Sequence, residues 1–161
     1  MKISVFYDHI LQAAEQTGKA LPELLHETRE AGIEAVEINM TYLSEHEETY
    51  ELLKAADLKV SCVYEFYEME SRNETERARK HIETARKAGA GLILVVPGFF
   101  TEETESFGEC VGNQERTDKF LNGNEKALRM AEGLAEITAI GAEADIRVVI
   151  EDFDDVRSPI S

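Results

Sequence analysis

Cysteine is scarce in this chain, and what there is lies scattered. Cys62 and Cys110 are the only two, far apart and with no CxxC pair. That argues against a disulfide scaffold or a structural zinc site and fits a reducing compartment. Cys62 sits in an apolar run, where a thiol behaves as a small buried hydrophobe. Positive charge is scarce too: Lys and Arg number 17 against 33 Asp and Glu, for a net charge of −16. Such a surface repels phosphate backbones, so no sequence-independent nucleic-acid partner is expected. No apolar run is long enough to span a bilayer, and Met1 leads into a strand with no charged and apolar leader pattern. A cytoplasmic protein without a membrane partner is expected. Low-complexity tracts, sequence repeats and a glycine-rich phosphate loop after the first strand are also absent.

What is present is a βα alternation. Ile3, Val5, Phe6 and Tyr7 read as a first strand ending at Asp8-His9, followed by a short helical stretch from Ile10 to Gln16 and a turn at Gly18. Leu21-Pro22-Glu23 opens a helix, because proline suits its first position and an early acid complements its dipole. Leu24, Leu25, Thr28 and Ala31 fall at helical spacing. Ala35 to Met40 is the second strand, with Val36, Ile38 and Met40 on one face and Glu37 and Asn39 on the other. Tyr50 to Ala56 forms the next helix, and Leu58 to Phe66 the third strand. Asn73 caps a helix from Glu74 to Ala88, whose stripe is Ala78, Ile82, Ala85 and Ala88.

Leu92 to Val96 is a continuous apolar run, the mark of a central parallel strand, stopped by Pro97-Gly98. Phe99 to Leu121 reads as a long polar loop, of the kind that is a functional lid or disordered. Asn122-Gly123-Asn124 opens a helix from Glu125 to about Ala142, with a stripe of Leu128, Ala131, Leu134, Ala135, Ile137 and Thr138. Arg147 to Phe153 is the fifth strand, running into Glu151, Asp152, Asp154 and Asp155.

Five strands and four principal helices in 161 residues fit two α/β architectures. One is an open doubly wound sheet. The other is the first five βα units of an eight-fold TIM barrel, with residues 1–161 as a single partial (β/α)-barrel domain. The missing phosphate loop and the polar residues at all five strand ends favour the barrel, whose top face is built from such ends.

Several residues are candidates for a site on that face. Glu37 projects from a strand face that should be buried, where an unpaired carboxylate is costly. It either binds a ligand hydroxyl or sits near a metal, or it pairs with a Lys or Arg. His9 follows the first strand and can donate to a substrate oxygen. Tyr7, Tyr64, Phe66 and Phe99 cluster at strand ends and can form an apolar wall against a ligand, although core packing explains them nearly as well. Glu65 has the opposite parity to Tyr64 and Phe66. His26, His46 and His81 lie amid charges and read as surface. Asp152, Asp154 and Asp155 read as loop acids that cap or pair with Arg157.

The segments AVEINM around Glu37, SCVYEF, VVPGF and VVIEDFDD closing on RSPIS resemble the sugar phosphate isomerase/epimerase family. That family lies in the xylose isomerase-like TIM barrel superfamily, which also includes the endonuclease IV family. The resemblance runs in order over nearly the entire chain. It implies a divalent metal (Mn²⁺, Mg²⁺ or Zn²⁺) on the top face, with Glu151 as the ligand from the fifth strand. The remaining ligands are expected on the sixth to eighth strands, beyond Ser161, so this chain alone is not expected to hold the metal tightly. It also implies proton transfer next to a sugar carbonyl, with a sugar or sugar phosphate as small-molecule partner. His9, Glu37, Tyr64 and Phe66 become the candidate substrate contacts, and no catalytic acid or base can be assigned. Two other readings stand beside this one. A non-catalytic half barrel can survive by homo-oligomerising over its exposed edges and interior. Endonuclease IV-like cleavage of a phosphodiester is the third, and the acidic charge opposes it.

Overall fold

The computed structural model describes residues 3–100, 110 and 112–151. Its five strands are β1 (Ser4–Phe6), β2 (Ala35–Asn39), β3 (Lys59–Phe66), β4 (Leu92–Val96) and β5 (Arg147–Ile150). All neighbours pair parallel, in the order β1-β2-β3-β4-β5. The order decides between the two architectures. A doubly wound sheet reverses direction at a switch point, whereas here each strand is added on the same side of the last. Because βαβ crossovers are right-handed, unidirectional addition puts every helix on one face and leaves the other as a barrel interior. The fold is a partial TIM-barrel-type α/β structure.

The helices are α1 (Tyr7–Thr17), α2 (Leu21–Glu30), α3 (Met40–Glu45), α4 (Glu48–Ala55), α5 (Thr75–Ala88), α6 (Gln114–Leu121) and α7 (Glu125–Glu143). The core lies between them and the sheet. Val36, Ile38, Val63, Ile93 and Val95 point outward from the strands and meet Leu25, Leu43, Leu53, Ile82 and Ile137. Each fully buried side chain of this size contributes about 1.5–3 kcal/mol. Among the described residues, no helix is long and apolar enough to cross a membrane.

Several boundaries differ from the sequence expectation, most of them at strand ends. Tyr7 opens α1 instead of closing β1, and Met40 opens α3 instead of closing β2. Both are buried, so their apolar character is satisfied in a helix beneath the outer layer rather than in the sheet. Asn39 starts α3 by accepting a hydrogen bond from the Thr41 amide at 2.9 Å. The polar stretch after Phe99 contains α6, capped by Asn113, whose Oδ1 accepts from the Arg116 amide at 3.1 Å. Residues 101–109 and 111, where a lid was expected, lie outside the described residues, as do 152–161 with Asp152, Asp154, Asp155 and Arg157.

The buried face of α7 also departs from expectation. Met130, Ile137 and Gly141 are buried, with Leu134 and Ile140 packed against the core, while Leu128 is 55% exposed and Ala131, Ala135 and Thr138 are exposed. The helix approaches through its glycines. A Cβ on Gly133 would stand 2.8 Å from Met69 Sδ, and one on Gly141 2.8 Å from the Ile146 carbonyl oxygen.

Candidate functional site

The site region follows from strand register. Residues paired across a parallel ladder share a face, so Phe6, Glu37 and Cys62 form one interior row. Asn39, Tyr64, Leu94 and Val149 form the next row toward the C-terminal end. A bulge in β3 sets this arrangement: Val36 pairs with Val60 but Glu37 pairs with Cys62, so Ser61 is the extra residue. The Ser61 hydroxyl occupies the irregularity by donating to the Val36 carbonyl at 3.0 Å. Without the bulge, strict alternation would put Cys62 and Tyr64 on the same face as Val60. With it they turn inward.

An aromatic row crosses the C-terminal end of the sheet on this face. His9 stands edge-on to Phe6 at 5.7 Å between centroids, Phe6 to Tyr64 at 5.6 Å and Tyr64 to Phe66 at 6.1 Å. Phe66 then stacks on Phe99 at 6.5 Å. Three of the four residues expected to contact substrate, His9, Tyr64 and Phe66, thus stand side by side. Tyr7 does not join them. It is buried under the outer layer, edge-on to Tyr42 at 5.5 Å and hydrogen-bonded to Thr49.

Two carboxylates stand near the row. Glu37 is half-buried and accepts a 2.6 Å hydrogen bond from the Ser4 hydroxyl. No Lys or Arg lies within ion-pair distance of it among the described residues, so of the two readings the cation pair is not formed and a serine is its partner. Asp8, in the first turn of α1, accepts from the Tyr64 hydroxyl and also bonds the Tyr42 hydroxyl. Burial first, and then the Asp8 hydrogen bond and charge, raise both phenols and keep them protonated donors. Asp8 and Phe6 were not singled out from the sequence. The available signal was that Asp8 is the first carboxylate after β1, the place where barrels put site residues.

Cys62 lies beside Glu37 in the ladder. Burial, then the charge of Glu37, with a smaller contribution from Glu151, pushes its thiol up to about 12, so it is a neutral group and not a thiolate nucleophile. Glu151 extends the β5 ladder, its amide donating to the Val95 carbonyl at 3.1 Å. Alternation along the strand gives Glu151 the same interior side as Val149. Among the described residues, no group of three His, Cys, Asp or Glu is placed to hold a metal ion. The described residues therefore do not fit a divalent-metal shell of about six oxygen or nitrogen ligands.

The outward side of β3 carries a polar cluster that the sequence did not reveal. His81, expected on the surface, is fully buried. The reason is a pair of matched partners: Nε2 lies 3.0 Å from the Val63 carbonyl and Nδ1 3.0 Å from the Tyr67 hydroxyl. Nearby, buried Glu65 accepts from the Phe66 amide at 2.7 Å and ion-pairs with Arg77 at 3.2 Å, fixing the backbone from which Phe66 projects. Glu65 therefore faces away from the aromatic row, as its parity requires.

A family model described as the xylose isomerase-like TIM barrel matches residues 25–158. No curated protein matches the chain. The matched span holds four of the five strands, both carboxylates Glu37 and Glu151, and most of the aromatic row. With the unidirectional parallel sheet and one-sided helix layer, this match means that the chain belongs to the xylose isomerase-like TIM barrel family.

Proposed function

We propose that this chain is a sugar isomerase/epimerase-like protein whose interior, C-terminal face binds a sugar or sugar phosphate. One observation carries the reading: a continuous aromatic row, His9-Phe6-Tyr64-Phe66-Phe99, with Glu37 and Asp8 beside it. A sugar presents one face of C–H groups and a rim of hydroxyls. Aromatic rings take the former and carboxylates accept from the latter. Ser4 holds one oxygen of Glu37 and leaves the other for a ligand hydroxyl. Tyr42 and Tyr64 hold Asp8 in place at the rim. The chemistry that suits such a ligand is proton transfer next to a carbonyl. Glu151 is the residue we assign to a divalent metal in the family's barrel, and no step is derived through that metal from the described residues alone.

The test is ligand-observed NMR on the full chain, with aldopentoses, ketohexoses and their phosphates as probes. Saturation transfer to at least one sugar is expected. Phe66→Ala should weaken it about tenfold, the equivalent of ~1.4 kcal/mol for losing an aromatic contact, and Glu37→Gln by a similar factor. Tight binding of an abasic DNA duplex with no response to any sugar would replace this reading by the endonuclease IV-like one. The family match accommodates that chemistry, but the net charge of −16 opposes it.

A further inference from the structure

On the opposite, N-terminal end of the sheet the helix layer opens. The C-terminal ends of α4 and α5 and the start of β3 surround an opening. The gap is a cleft of about 530 Å³ floored by Leu53, Leu58 and Val60. Its rim carries Lys54 from the last turn of α4, Lys59 from the first position of β3 and Lys87 from the last turn of α5.

These three ammonium groups are unusual in their company. Acids outnumber bases 33 to 17 in this chain, yet none of the three has a carboxylate within ion-pair distance among the described residues. Of the two acids lining the cleft, Asp57 is turned aside by Arg29, whose Nη2 lies 3.1 Å from its Oδ2. Glu51 also lines the cleft and forms no ion pair with the lysines. Lys87 is held in place, its Nζ 4.8 Å from the centroid of the Tyr50 ring. Lysines in the last turns of α4 and α5 complement their helix dipoles, but that accounts for two of the three and not for Lys59 at a strand start.

From this we infer a second binding site, independent of the sugar-binding face, for a compact polyanion of the phosphate class. Three cations on separate elements converge on one concavity, and a multiply charged anion can satisfy all three at once. A neutral sugar or a cation gains nothing there. Glu51 is the built-in opponent of such a ligand, which gives the proposal a test of both signs.

The experiment is isothermal titration of the full chain with inorganic pyrophosphate, and with inorganic phosphate in parallel, against sodium chloride at matched ionic strength. Saturable binding of pyrophosphate, tighter than that of phosphate, is expected. Lys54→Gln, Lys59→Gln and Lys87→Gln should each weaken it about threefold and the triple variant about thirtyfold, the scale of exposed charge pairs. Glu51→Gln should tighten it about threefold. All four residues are exposed, so each single variant should fold and melt within about 2–4 °C of wild type, the scale of losing one dipole or cation–π contact. No saturable heat, the same response to chloride, or lysine variants that bind as wild type would each overturn the site.

Discussion

His81 shows how one side chain ties the site's scaffold to pH. A carbonyl can only accept, so Nε2 carries the proton toward Val63, and Nδ1 accepts from the Tyr67 hydroxyl. The buried ring is therefore neutral. Burial, opposed by the Val63 bond and assisted by the Arg77 charge, lowers its pKa from 6.5 to about 4. The folded state thus binds fewer protons than the unfolded one between those values. Stability from this residue is fully present above about pH 6.5 and is lost as pH falls toward 4, by roughly 3 kcal/mol in all. Other acids titrate in the same range, so the comparison is with His81→Gln. That variant should be less stable than wild type by about 2 kcal/mol at pH 7.5, through the hydrogen bond it loses. By pH 4.5 the gap in urea unfolding free energy should largely close. A gap that stays constant with pH would mean that His81 is not held neutral by the fold.

At the scale of elements, the two glycines of α7 make opposite predictions. Gly to Ala in a helix interior is worth about 1 kcal/mol in propensity. At Gly141 the new Cβ would meet the Ile146 carbonyl at 2.8 Å and Val148 Cγ2 at 2.9 Å, and the backbone of the tight return into β5 cannot give way. Gly141→Ala should therefore lose about 2 kcal/mol net. At Gly133 the obstacle is the Met69 side chain, which can choose another rotamer, so Gly133→Ala should fall within about 0.5 kcal/mol of wild type. Denaturation midpoints of the two variants separate the cases, and equal losses would show that Met69 is as rigid as the backbone. The same glycines explain why only part of the expected α7 stripe, Leu134 and Ile137, faces the core. Leu128, Ala131 and Thr138 carry the apolar signal, but close approach selects the face with no side chain, Gly133 and Gly141. Strand identity was legible, because Leu92 to Val96 is apolar throughout and Ala35 to Asn39 alternates. Strand ends were not, since Tyr7 and Met40 suit a strand or a buried helix start equally well. Within the candidate site, parity alone separated Glu65 from Tyr64 and Phe66 along β3. The Ser61 bulge, the Asp8 bonds to Tyr42 and Tyr64, and the His81 pair depend on contacts between elements distant in sequence, and nothing local encodes them.

For the whole molecule the governing quantity is charge. With 33 acids against 17 bases, folding brings a net −16 into a body whose radius of gyration is about 15 Å for a chain of this length. At 0.01 M salt the screening length is about 30 Å, so every carboxylate feels every other; at 0.15 M it is about 8 Å. Self-repulsion is thus large at low salt and mostly removed at moderate salt, which favours the compact state. Favourable pairs work in the other direction. Lys19–Glu27 at 2.5 Å, Arg72–Glu68 at 3.0 Å and Arg29–Asp57 at 3.1 Å are exposed, contribute little, and are weakened by the same salt. Glu65–Arg77 involves a buried carboxylate and is screened less. The excess of acids exceeds what these pairs neutralise, so repulsion should win. Raising sodium chloride from 0.01 to 0.3 M should stabilise the chain by about 1 kcal/mol, or roughly 2–4 °C in melting temperature. Calorimetry across that salt series decides it, and a melting temperature that falls with salt would show that the ion pairs, not the net charge, dominate the electrostatics of the fold.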